Sequence, residues 1–127
     1  LPGAEFRQML QQVDITLDPV TVNGATSTCE SLWLGVPVIS LVGARFLTRA
    51  GLSILNAAGM PEFALTSTEG CISLARQIAE DLPGLAKLRA TMREQISRSP
   101  LTNGVLFAEN LERLYRTAWT DWCNAST

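Results

Sequence analysis

The sequence predicts an α/β fold built on a parallel sheet of few strands, and three observations carry that prediction. Short β-branched runs alternate along the chain with stretches of helical periodicity. Val36 to Val42 is a continuous apolar run bounded by Gly35 and Gly43, the pattern of a central parallel strand covered on both faces. Only three strand candidates occur in the 127 residues, whereas a doubly wound domain carries about five or six. The expected architecture is therefore part of a Rossmann-like sheet. It has the later strands and the closing helices and lacks the opening βα units.

Each element follows from its local pattern. Ala4 to Gln12 places Phe6, Met9 and Leu10 at helical spacing. Val13 to Leu17 alternates with period two and is expected to be a strand closed by a turn at Asp18-Pro19. A short helix is predicted over Thr26 to Leu34, then the central strand over Val36 to Val42. Gly43 to Arg49 reads as a loop, Leu47 to Ala58 as a helix ending at Gly59-Met60-Pro61, and Phe63-Ala64-Leu65 as the third strand. Thr66 or Ser67 caps the next helix, which runs to about Asp81 with Ile72, Leu74, Ala75, Ile78 and Leu82 facing inward. A helix over Leu85 to Arg98 carries Lys87, Arg89, Arg93 and Arg98 on a face expected to be wet. Ser99-Pro100 breaks it. The last helix is predicted over Val105 to Cys123, with Phe107, Leu111, Leu114, Tyr115, Ala118 and Trp122 along one stripe. Trp33, Trp119 and Trp122 read as core or packing residues. The division expected is a βαβαβ core over residues 1–65 and closing helices over residues 66–127.

Composition narrows the function. At 46% hydrophobic and 17% charged residues the chain is globular rather than disordered. A net charge of −2 gives no basic footprint for nucleic acid. With no histidine, His-ligated metal sites and imidazole acid/base chemistry are excluded from this chain. Its three cysteines, Cys29, Cys71 and Cys123, are odd in number and widely spaced, which fits reduced thiols in a cytoplasmic protein. No apolar run reaches the roughly 20 residues that span a bilayer, and no signal-peptide pattern is visible. The first residue is Leu1 rather than methionine, so a piece of a longer protein is expected.

The stretch NGATSTCESLWLGVP, Asn23 to Pro37, carries the chemistry. An Asn-Gly turn leads through Thr26, Ser27 and Thr28 into a short helix and then a buried strand. That is how an α/β domain offers free N–H groups and the positive end of a helix dipole to an anion. Two readings of the hydroxyl cluster stay open on spacing alone: a helix N-cap, or ligands for phosphate. Glu30 lies about one turn beyond Thr26, within reach of a sugar that continues from a phosphate at the helix start. It is also the kind of first-turn acid that complements the dipole. Arg45 and Arg49 lie in a loop that faces either a cleft or solvent. Cys29, at a helix start, is expected to have a lowered pKa, and with no histidine to activate it reads as a packing residue.

These residues carry a family resemblance. Val13 to Asp18 (VDITLD) followed by Asn23 to Val38 resembles the C-terminal catalytic region of O-linked N-acetylglucosamine transferases, glycosyltransferase family 41, including bacterial relatives fused to tetratricopeptide repeats and SPINDLY-type enzymes. Leu88-Arg89, Ser99-Pro100-Leu101, Leu111 to Arg116 and Trp119 resemble the ending of the same family. The resemblance implies a GT-B architecture, with this chain as the C-terminal half of the donor-binding domain, and a UDP-sugar donor bound without metal or other cofactor. It implies that Thr26 and Ser27 hold the donor diphosphate on a turn shaped by Asn23 and Gly24. Glu30 falls on the ribose and Phe6 on the uracil ring. Ala25 stands where relatives often carry histidine or threonine. The family's phosphate-binding lysine and its catalytic base correspond to positions before residue 1. The resemblance therefore implies no catalytic residue in this chain and no activity for it alone, with the acceptor protein contacted by regions upstream. A second expectation is a non-catalytic module that self-associates as a homo-oligomer through an exposed Val/Ile-rich sheet edge.

Overall fold

In a computed structural model of the chain, residues 3–18 and 21–125 are described. The expected turn at Pro19 lies outside them. A three-stranded parallel sheet of order β1-β2-β3 is built from Thr16–Leu17, Val38–Leu41 and Ala64–Leu65. The helices are α1 (Gly3–Leu10), α2 (Thr26–Trp33), α3 (Ala50–Ala57), α4 (Thr68–Glu80), α5 (Leu82–Ser97) and α6 (Gly104–Ala125).

Register explains which strand is central. Thr16 pairs with Val38 and Leu17 with Ile39 on one side of β2, and Ser40 pairs with Ala64 and Leu41 with Leu65 on the other. The apolar run of β2 is accordingly buried, with Leu32, Val38, Ile39, Leu55, Met60, Phe63, Met92 and Ile96 in one core cluster. β1 is shorter than its alternating pattern suggests. The N–H groups of Gln12 and Val13 bond back to the carbonyls of Met9 and Leu10, so the start of the run is spent turning out of α1. Both outer strands are two residues long, so the edges they present for pairing are short.

Helix α2 packs on α5. The turn between α2 and β2 requires Gly35, whose φ is +76° and where a Cβ would stand 2.8 Å from the Arg89 carbonyl oxygen. Ser67 caps α4 as predicted, accepting the Gly70 N–H at 3.1 Å. Along α4, Leu74, Ala75 and Ile78 are half-buried, whereas Ile72 and, beyond the helix, Leu82 are exposed rather than inward. α5 starts three residues earlier than its periodicity indicates (Leu82 against the predicted Leu85), because Asp81 caps it by accepting the Gly84 N–H at 2.9 Å. Its basic face is only partly wet. Arg89 bonds to the Asp14 carboxylate at 2.5 Å, and the Arg93 guanidinium lies 4.9 Å from the Trp33 ring centroid.

The last helix forms over the predicted span, but its expected packing is overturned. No residue of α6 is buried. Phe107, Trp119 and Trp122 are 66%, 65% and 63% exposed. Trp119 and Trp122 stack on each other with centroids 5.7 Å apart instead of entering the core. Trp33 is also partly exposed, under Arg93.

Candidate functional site

Ligands of parallel α/β sheets sit at the carboxyl ends of the strands, and here two loops meet at that edge. The chain leaving β1 carries Asp18 and the turn into α2. The chain leaving β2 runs through Gly43 to a 3-10 turn at Phe46–Thr48. They are joined at Asn23, whose N–H donates to the Leu47 carbonyl at 2.8 Å. The Asn23 side chain turns inward, at 6% exposure. Its Oδ1 accepts the Gly51 N–H at the start of α3, and its Nδ2 donates to the Leu41 carbonyl. Asn23 thus ties β2, α2 and α3 together and shapes the turn.

The hydroxyl cluster divides in two. Thr28 is buried at 2% exposure and donates to the Asp18 carboxylate, whereas Thr26 and Ser27 are exposed. The cap position is Ala25, and no side chain caps α2. The capping reading of the cluster therefore fails: Thr26 and Ser27 lie inside the helix as exposed residues, and no side-chain cap satisfies its first-turn amides. Gly24 lies against Ser27 and Thr28: a Cβ there would meet Ser27 Oγ at 2.5 Å and Thr28 Oγ1 at 2.7 Å, so a larger residue would have to displace those hydroxyls.

Thr26 and Glu30 line one depression of about 520 Å³ together with Arg7, Cys29 and Trp33. Glu30 is half-buried, and Arg7 Nη1 lies 3.6 Å from its carboxylate. Arg7 was not singled out from the sequence; only the packing of α1 beside α2 brings it to Glu30. Phe6, the preceding residue, is half-buried on the same helix. Arg45 and Arg49 are exposed at either end of the 3-10 turn beside Asn23, and Arg49 lines a separate depression along α3 with Phe46 and Ser53. Cys29 departs from expectation: burial pushes its thiol above the usual value of 9.0, and a backbone hydrogen bond only partly offsets this.

The fold and this corner define a parallel-sheet α/β chain whose strand-carboxyl edge carries a helix N-terminus with no side-chain cap. The chain belongs to glycosyl transferase family 41, whose pattern matches residues 3–111. Among its relatives, a protein of Petunia hybrida described as a probable UDP-N-acetylglucosamine–peptide N-acetylglucosaminyltransferase SPINDLY is 36% identical over 120 residues, which is 94% of this chain and 13% of that protein. The Arabidopsis thaliana protein of the same description is 34% identical over 119 residues, again 94% of this chain and 13% of its relative. In three dimensions the chain matches a K341M mutant of the Thermobaculum terrenum O-GlcNAc transferase with a TM-score of 0.84 and 34% identity, covering all of this chain and 24% of that one. The chain is thus of the O-GlcNAc transferase/SPINDLY glycosyltransferase type and spans about an eighth of the plant relatives' length. Among the described residues no helix is long and apolar enough to cross a membrane.

Proposed function

We propose that this chain forms the donor-binding part of a protein O-glycosyltransferase that moves N-acetylglucosamine from UDP-N-acetylglucosamine to a Ser or Thr hydroxyl of a protein. The observation that carries the proposal is the pair of exposed hydroxyls, Thr26 and Ser27, on an uncapped helix start at the carboxyl edge of the sheet. The Petunia and Arabidopsis relatives are described as probable UDP-N-acetylglucosamine–peptide N-acetylglucosaminyltransferases.

In this reading the diphosphate of the donor rests on the first-turn amides of α2 and on the Thr26 and Ser27 hydroxyls, on the turn set by Asn23 and Gly24. As the glycosidic bond to the donor phosphate breaks, negative charge grows on the leaving diphosphate. Fixed amide dipoles and hydroxyls stabilise that charge without reorganising, in the role a metal would otherwise fill. Glu30, one turn along, accepts from the ribose hydroxyls, and Phe6 offers a face to the uracil ring. Arg45 and Arg49 flank the same edge as cations for the donor. The acceptor hydroxyl and the group that deprotonates it belong to other parts of the enzyme, so the chain by itself binds donor and does not turn it over. Cys29 and Cys71 form no disulfide, which suits a reducing, cytoplasmic setting.

Calorimetric titration with UDP tests this, on the chain alone and on a longer family 41 polypeptide that carries it. UDP binds, GDP binds more weakly, and Thr26→Val combined with Ser27→Ala abolishes UDP binding. Equal UDP affinity before and after the double change would remove the site assignment.

A further inference from the structure

Resting on that reading, we infer that Asp18 is the positioning residue of the diphosphate corner. It holds the Asn23–Ser27 turn in its binding shape without touching the ligand. Asp18 follows β1 directly and is 9% exposed. Its described hydrogen-bond partners are all neutral donors. Oδ1 accepts the Gly24 N–H at 2.7 Å and the Thr28 hydroxyl at 3.4 Å, while Oδ2 accepts the Ser40 hydroxyl at 2.9 Å. One carboxylate therefore joins the end of β1, the turn, the first turn of α2, and β2.

The consequence for the ligand is geometric. An eight-residue helix with no side-chain cap has little of its own to fix its entry angle. The Gly24 bond fixes the turn just before the helix, and the Thr28 bond fixes the rotation of the first turn. With Thr28 held inward, Thr26 and Ser27 face outward, because successive helix positions are about 100° apart. A carboxylate is suited to this because it can accept several donors at once, and hydrogen bonds to an ionised acceptor are stronger than neutral ones. Asparagine keeps the Oδ1 acceptor, and the Ser40 hydroxyl can rotate to accept from its amide. Asp18→Asn therefore preserves the brace, whereas Asp18→Ala removes it.

The test titrates the whole chain with UDP and with UMP, alongside thermal unfolding, for Asp18→Ala, Asp18→Asn and Thr28→Val. Asp18→Ala is expected to weaken UDP by about tenfold or more, the factor that loss of hydrogen bonds to a charged group represents, and UMP by less than about twofold. Asp18→Asn keeps UDP affinity within about threefold, and Thr28→Val loses about threefold to tenfold. A cooperatively folding Asp18→Ala chain that binds UDP like the parent overturns the inference. So does a variant that weakens UDP and UMP alike, since a merely structural role would not single out the second phosphate. If Asp18→Ala does not fold, Thr28→Val decides, and parental UDP affinity in that variant overturns the inference. UDP binding that survives Thr26→Val with Ser27→Ala removes the underlying site reading, and with it the brace. Failure of the parent chain to bind UDP does the same.

Discussion

Thr26, Ser27 and Thr28 are three adjacent hydroxyls with two different fates, and the difference lies in what each meets after folding. Thr28 meets Asp18, ten residues earlier in the chain, and Asp18 also meets Ser40, twenty-two residues later. The cluster itself was legible in the sequence as a helix start, and the outward pair was placed by family resemblance. Asp18 was legible only as a turn residue, because nothing in the spacing shows that a strand end, a turn and a second strand converge on it. Cys29 makes the same point. A helix start favours a thiolate, but the half-buried wall of α2 disfavours it more, and burial raises Cys71 as well. Both thiols therefore react slowly at neutral pH, and alkylation with iodoacetamide followed by peptide mass mapping should label exposed Cys123 first. The linkage sign follows from the raised values. A thiol whose folded pKa lies above its unfolded one contributes stability that is complete below the unfolded value and is lost as pH rises through the folded one. Denaturant midpoints should accordingly hold steady up to about pH 8 and fall above the ordinary thiol value of 9.0, and less so in a Cys29→Ala, Cys71→Ala chain.

At the scale of elements, β2 and α4 were legible and the start of α5 was not. β2 lies in a run between two glycines whose one polar residue is Ser40, a pattern with few other uses, and Ser67 stands just ahead of the α4 periodicity. Pro83 and Gly84 both lie in the first turn of α5, where the proline's missing N–H and fixed φ cost nothing. Asp81 supplies the cap that makes this start worthwhile. Asp81→Ala should cost about 1 kcal/mol in urea unfolding, as a lost N-cap does. The α2–α5 contact is worth more. Leu32 and Met92 are fully buried in the core beneath the turn, and Met92→Ala should cost about 2–5 kcal/mol through lost burial and the cavity left. Asp14→Asn, which removes the partner of Arg89 at an exposed carboxylate, should change stability by less than about 1 kcal/mol.

For the whole molecule, the parallel three-stranded sheet and its central strand were legible from alternation and from the apolar centre. The surroundings of α6 were not. A helical stripe of Phe107, Leu114, Trp119 and Trp122 states that a face needs covering, but periodicity does not say that the same 127 residues cover it. The exposed stripe is larger than anything the two-residue sheet edges offer, so any association of the isolated chain should run through α6. Sedimentation at rising concentration should show growing mass for the parent chain and a constant monomer for Trp119→Lys with Trp122→Lys. Equal association of both would move the contact elsewhere. The proposed donor site lies at the carboxyl edge of the sheet, from Asn23 to Ser27. Its most direct measurement is a titration of the isotopically labelled chain with UDP, followed by backbone amide resonances. The largest shifts are expected at Gly24, Thr26, Ser27 and Thr28, with smaller ones at Glu30 and Phe6, all absent from the Thr26→Val, Ser27→Ala chain. Shifts confined to α4 or α6, or the same Gly24 to Thr28 shifts in the double variant, would contradict it.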